Sequence, residues 1–172
     1  MSDGLWHLAQ LNIGRMVAPT SAPEIAEFMA ALDPINALAE AAPGFVWRLQ
    51  TEAGNATDIH AFADDELLRL NMSVWESVES LRAFTYSSAH TGVLRRRREW
   101  FERLGEAHLV LWWVPAGHIP TVTEAIARLE RLRRDGPTPA AFTFRAPFKP
   151  GDVAPGDPLV GAEFCWPELV SA

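Results

Sequence analysis

Residues Leu67 to Trp75 read LLRLNMSVW, and this alternation decides how the chain is organised. Successive side chains of a strand point to opposite faces. One face therefore carries Leu68, Leu70, Met72 and Val74, and the other Leu67, Arg69, Asn71, Ser73 and Trp75. Asn71 and Trp75 share a face, roughly 13 Å apart along the strand.

Upstream, Leu5 to Ile13 alternates loosely and ends at Gly14, which predicts another strand. Its faces are Leu5, His7, Ala9, Leu11 and Ile13 against Trp6, Leu8, Gln10 and Asn12. Ser21-x-x-Glu24 has the form of a capping box, with Pro23 in the first turn of a helix that carries Ile25, Phe28, Met29 and Leu32 at helical spacing. Pro34 is expected to kink or restart that helix, because it cannot donate a backbone hydrogen bond. Ile35, Leu38 and Ala42 extend the stripe to Pro43-Gly44. Phe45 to Gln50 reads as a strand with Phe45, Trp47 and Leu49 on one face, and the polar segment that follows as a long hairpin loop.

Downstream, one helix is predicted from about Ser77 to Tyr86 and another from about Ser88 to Leu104, ended by Gly105. Ala107 to Val114 is a strand. A second capping box, Thr121-x-x-Glu124, opens a helix that stops at Gly136-Pro137. No internal repeat is visible. The segment after Pro137, rich in proline, is an ordered wrap or a flexible tail, and the expected division is a domain over 1–149 and a tail over 150–172.

The order strand, helix, strand, strand, helix, strand plus a C-terminal helix is the split βαβ arrangement of ferredoxin-like α+β folds: a four-stranded antiparallel sheet with helices on one face. Five of the seven tryptophans, Trp6, Trp47, Trp75, Trp112 and Trp113, fall on predicted strands, so both faces must bury indole. A dimer of sheets is the simplest way to do so, with neighbouring Trp112 and Trp113 pointing one to the helices and the other to a second subunit.

The composition sets outer bounds. A chain of 172 residues makes one domain large enough to bury a core. The net charge of -7 argues against a nucleic-acid or anionic-membrane binder. The N-terminus lacks the features of a signal peptide, and no apolar run approaches the roughly 18 residues that span a bilayer, so a cytoplasmic protein is expected. One cysteine, Cys165, rules out an internal disulfide and a thiolate zinc cluster.

Three groups of polar residues on apolar faces are candidates for function. Asn71 and Trp75, with Asn12 and Gln10 on the neighbouring strand, could orient a carbonyl or phenol and stabilise an oxyanion; the alternative is that the amides satisfy one another and the indole is core. On the helix from Ser88, the stripe His90, Leu94, Arg97, Phe101 and Leu104 puts an imidazole and a guanidinium on one side. His90 could serve as acid, base or metal ligand and Arg97 could hold an anion or enolate; alternatively His90 caps a loop and Arg97 reaches to the helix edge. The run Arg95 to Arg98 reads as a solvated face, with pairs Arg98–Glu102 and Glu99–Arg103. Ordinary turn chemistry accounts for Asp58, His60, Asp64, Asp65 and Glu66 better than a cation does, and no metal site is expected. Nucleotide, serine-hydrolase and zincin motifs are absent.

The segments PGFVWRLQ, NMSVWESVESLRAFTYSSAH, RRRREWF and LWWVPAGHIPTVTEAIARLERLRRDGPTPAAFTF, with LDPINALAEAAPGF, resemble an uncharacterised bacterial domain family of the dimeric α/β-barrel superfamily. The resemblance covers most of residues 5 to 148 and implies a homodimer of ferredoxin-like units. The superfamily includes antibiotic-biosynthesis monooxygenases, haem-degrading monooxygenases and haem-dependent dehydratases. A narrower resemblance is to cofactor-independent monooxygenases that make quinones from aromatic polyketides and carry Asn-x-x-x-Trp on the third strand, here Asn71 and Trp75. It implies catalytic roles for Asn71 and Trp75 and a substrate contact from Asn12; with the helix stripe, the expected site adds His90 and Arg97 as catalytic residues and Tyr86 and Phe101 as substrate contacts. Tyr86 and Arg97 stand in for a tyrosine and an arginine that have no direct counterpart here. The implied partner is a small aromatic ligand, with no cofactor. Two other readings are a haem protein with His90 or His118 as axial ligand, His90 the better placed on an inward helical face, and a non-catalytic dimer that binds a small hydrophobic ligand.

Overall fold

The computed structural model describes residues 5–52, 54–57 and 59–154. Its strands are β1 (Trp6–Arg15), β2 (Phe45–Arg48), β3 (Leu68–Trp75) and β4 (Leu109–Pro115). Its helices are α1 (Ala26–Glu40), α2 (Val78–Thr85), α3 (Ser88–Arg95), α4 (Arg97–Trp100) and α5 (Val122–Asp135), with short 3-10 turns at Pro23–Ile25 and Pro150–Asp152. The sheet is antiparallel in the order β2-β3-β1-β4, the ferredoxin-like arrangement. β1 lies opposite β3 with Leu8, Gln10, Asn12 and Gly14 facing Trp75, Ser73, Asn71 and Arg69. Directly opposed residues share a face. Four consecutive pairs therefore line one side of the sheet, graded from indole to guanidinium.

That side is covered by α1 to α4 and buries Leu8, Trp75, Leu111 and Trp113 with Ala39, Val78, Leu81 and Phe142. The opposite side, between His7 and Arg15 of β1, is apolar: Ala9, Leu11, Ile13, Leu70, Met72, Val74, Val110, Trp112 and Val114. It is closed within the chain, by Ala125, Leu129 and Leu132 of α5 and by Ile59, Ala61 and Phe62 of the β2–β3 connection. This corrects the reasoning from tryptophan. Trp112 and Trp113 do point to opposite faces, but α5 buries the first and the C-terminal segment the second, with Trp113 Nε1 donating to the Phe148 carbonyl at 2.8 Å. No second subunit is needed to cover either indole.

Local chemistry explains where the elements depart from sequence expectation. Ser77 and Thr121 cap α2 and α5 as their spacing requires, accepting from the amides of Ser80 and Glu124. Ser21 does not cap α1, which is entered through the 3-10 turn after Ala22 with no side-chain cap. Pro34 sits inside α1 without ending it; Pro34 and Ala30, whose carbonyl loses its partner, are both exposed, so water can solvate the freed group. In β2 a bulge falls between Phe45 and Trp47. Phe45 packs on the α1–α4 side and Trp47 on the α5 side, so the two do not share a face.

The helix expected over 88–104 breaks at Arg96 and again at Phe101, which is extended (φ -128°, ψ 139°). Tertiary pairing outweighs helical propensity here: Val17 donates to the Trp100 carbonyl at 2.9 Å and Glu102 to the Arg15 carbonyl at 2.8 Å. Arg98–Glu102 and Glu99–Arg103 therefore do not pair; Arg96 bridges Glu27 and Glu99, and Arg15 holds Glu102 and Asp65. After α5, residues 137–154 wrap the molecule, with Phe142, Phe144, Phe148 and Val153 against the α1–α4 side. The rest of the expected tail lies outside the described residues, as does Asp58 of the acidic cluster.

Candidate functional site

A cavity of about 280 Å³ lies between the polar side of the sheet and helices α1 to α4. Its floor is the graded row of β1 and β3 side chains, because Leu67 to Trp75 alternates and the register sets Asn71 against Asn12 and Ser73 against Gln10. Gln10 Nε2 donates to Asn71 Oδ1 at 2.8 Å and to Ser73 Oγ at 3.0 Å. Trp75 Nε1 donates to the same Ser73 oxygen at 2.9 Å. Since Ser73 Oγ accepts twice, its own proton is left to donate, and Asn71 keeps both Nδ2 protons. The amides thus satisfy one another only in part.

Trp75 is 1% exposed, stacked on Phe84 at 5.3 Å and edge-on to Phe45 at 5.4 Å. Phe84 in turn meets the His90 ring at 4.9 Å. His90 Nδ1 lies 2.9 Å from the Thr85 carbonyl. A carbonyl can only accept, so Nδ1 carries the proton and Nε2 the free lone pair. Burial pushes the His90 pKa below its usual range, against the pull of the Thr85 bond, so the ring is neutral at pH 7.

At the other end of the row, the ring of Phe101 rests on Gly14. A Cβ there would meet Phe101 Cδ1 at 2.7 Å and Arg97 Nη2 at 3.2 Å, so this approach needs glycine. Arg97 donates to the Ile13 carbonyl at 3.2 Å and lies over Phe101 at 5.5 Å, and its burial pulls the guanidinium pKa down. Arg69, the cross-strand partner of Gly14, donates to the backbone carbonyls of Glu66 and Leu68, and its Nε is buried without a partner. Arg48, brought to this side by the β2 bulge, is paired with Glu40. Three arginines and no carboxylate line the cavity, among the described residues, in a chain whose net charge is -7.

Of the residues singled out in the sequence, Asn12, Asn71, Trp75, His90, Arg97 and Phe101 all line this one cavity. Tyr86 does not: it is 65% exposed and its ring lies 6.4 Å from Phe144, which does. Ser73, Arg69 and Phe84 had not been singled out. The alternation of β3 had already set Ser73 and Arg69 on the face of Asn71 and Trp75, whereas nothing in the sequence marks Phe84 beyond an ordinary helical position. Among the described residues no three His, Cys, Asp or Glu side chains come together to hold a metal ion, and no helix is long and apolar enough to cross a membrane.

No curated protein sequence matches the chain significantly. Among solved structures, a conserved protein from Methanosarcina mazei aligns with TM-score 0.46 and 9% identity over 64% of this chain and 93% of that one. SnoaB, a cofactor-independent oxygenase from Streptomyces nogalater, aligns with TM-score 0.43 and 14% identity over 66% and 95%. At these levels the sheet order and the cavity described above must stand on their own geometry. The family model described as "Domain of unknown function (DUF3291)" matches residues 7–156, nearly the whole described chain, and the protein belongs to that family.

Proposed function

We propose that the protein is a small cofactor-independent monooxygenase-like enzyme acting on an electron-rich aromatic or polyketide-type substrate. The observation that carries this reading is a neutral histidine with a free Nε2 on the wall of a cavity whose floor presents unpaired amide and hydroxyl donors. His90 Nε2 removes the acidic proton of a phenol or anthrone. Asn71 Nδ2, the Ser73 hydroxyl and Asn12 donate to the enolate oxygen, and the Arg97 charge favours the anion. Trp75 and Phe84 bound the ring at the His90 end of the row. The carbanion passes its electrons to dioxygen; one oxygen atom becomes the new carbonyl and the other leaves as water with the two substrate hydrogens, so CH2 and O2 give C=O and H2O.

Haem is the competing cofactor, with His90 Nε2 as its ligand. Haem supplied to the protein, read for a Soret band that His90→Ala removes, separates the two readings. A homodimer belongs to the proposal on family resemblance alone, because α5 already covers the apolar side; light scattering at micromolar concentration tests it. The enzyme reading is tested by oxygen uptake with an anthrone and dihydroxynaphthalene panel. Asn71→Ala and Trp75→Phe are each expected to lower the protein-dependent rate at least tenfold. Rates equal to wild type would make both residues structural, and background oxidation with tight binding would make the protein a ligand binder.

A further inference from the structure

The two ends of the cavity differ in charge. At the Gly14 end stand Arg69 and Arg97, neither of which forms an ion pair among the described residues. The unpartnered Nε of Arg69 is buried there. Arg15, Arg96, Arg133 and Arg134, all away from the cavity, have carboxylate partners at the surface. Arg48, on the same cavity wall, is paired with Glu40, but among the described residues no carboxylate lines the cavity itself and none stands beside Arg69 or Arg97. Leaving a half-buried guanidinium without a counter-charge is costly unless a ligand supplies one. Six residues along the strand, or roughly 20 Å, the row ends on stacked Trp75 and Phe84.

We infer that the ligand of this cavity is an aromatic carboxylic acid, bound as its anion, with the carboxylate at Arg69 and Arg97 and the ring system extending over the amide row toward Trp75. The planar guanidinium fork suits a carboxylate, and Phe28, Leu32 and Phe101 form apolar walls for the body between. This deepens the proposed function by naming the class of substrate. It rests on the cavity being the binding site and not on the oxygen chemistry.

The test is calorimetric titration under nitrogen, where no oxidation can occur, with 2-naphthoate, its neutral near-isostere 2-naphthamide, and octanoate. The acid is expected to bind at least about tenfold more tightly than the amide, the effect of one charged hydrogen-bonded contact, and to weaken as salt is raised. Octanoate is expected to bind more weakly than naphthoate. In Arg97→Gln and Arg69→Gln, each checked for native circular dichroism, the acid should lose that advantage while the amide is unchanged. Equal affinity for acid and amide, or no heat from either at millimolar concentration, would overturn the inference; octanoate equal to naphthoate would overturn its aromatic part. These outcomes are separate from oxygen uptake, so a protein that binds naphthoate and oxidises nothing refutes the enzyme reading alone.

Discussion

Ser73→Ala tests the floor of the cavity most directly. The hydroxyl is buried at 7% exposure and accepts from two donors, Gln10 Nε2 and Trp75 Nε1. Gln10 keeps Asn71 as a partner at 2.8 Å, so little is lost on that side. The Trp75 indole N–H, on a residue 1% exposed, loses its partner where water does not readily reach. An unsatisfied buried donor costs about 1–3 kcal/mol. Taking about 2 kcal/mol, a chain of this length should melt roughly 4–8 °C lower. The sharper measurement is a double-mutant cycle with Trp75→Phe, followed by urea unfolding and far-UV circular dichroism. Phe has no N–H, so in that background Ser73→Ala should cost less than about 0.5 kcal/mol, giving a coupling of about 1.5 kcal/mol. If the two single costs simply add, to within about 0.5 kcal/mol, the serine does not hold the indole and the account of the floor is wrong.

Gly14→Ala pushes a methyl into the Phe101 ring, and should cost about 1–3 kcal/mol in urea unfolding while weakening naphthoate binding; full stability would show the ring free to move aside. His90 and His108 both have pKa values lowered by burial, His108 also by the Arg97 charge. The unfolded chain takes up protons near the ordinary imidazole value of about 6.5 while the folded chain resists them, so stability is full above that pH and falls as pH drops through it. His90→Gln should flatten the fall, and an unchanged pH profile would refute a buried neutral His90. In the enzyme reading the acid limb of kcat/KM lies below about 6.5 for the same reason. Glu124, which accepts from Trp112 Nε1 at 3.0 Å and meets His118 Nε2 at 2.8 Å, stands on the opposite side of the sheet. Glu124→Ala should cost about 3 kcal/mol yet leave naphthoate affinity within about twofold, and a larger binding loss would show the two sides to be coupled.

The fold was legible where one local rule governs. Alternation from Leu67 to Trp75 set both sheet faces, and the caps at Ser77 and Thr121 set two helix starts. It was illegible where distant groups compete for the same backbone: the Trp100 carbonyl and the Glu102 amide go to Val17 and Arg15 at the end of β1, and no periodicity in Arg95 to Leu104 records that. Asn71, Trp75 and His90 could be placed near one another because their elements were identified correctly. Arg97 and Phe101 reach the cavity by a different backbone path from the single helix expected, the first on a short turn and the second on extended chain. The uncovered sheet face was misjudged because hydrophobic patterning says that a surface is buried without saying by what.

The bulge at Val46 shows that strand length, and not only residue type, writes the charge of the cavity wall. With Phe45 opposite Trp75 and Arg48 opposite Ser73, the extra residue between them lets Arg48 face the cavity. The same letters threaded on an unbroken ladder would turn Trp47 inward and press the guanidinium against Leu70 and Met72. A relative one residue shorter here would keep the arginine wall with no bulge at all. Small insertions and deletions, tolerated silently in most loops, are therefore the changes with the longest reach over ligand choice in this strand. Homologous sequences should be compared here by ladder position before identity, or an unchanged wall will be scored as a substitution.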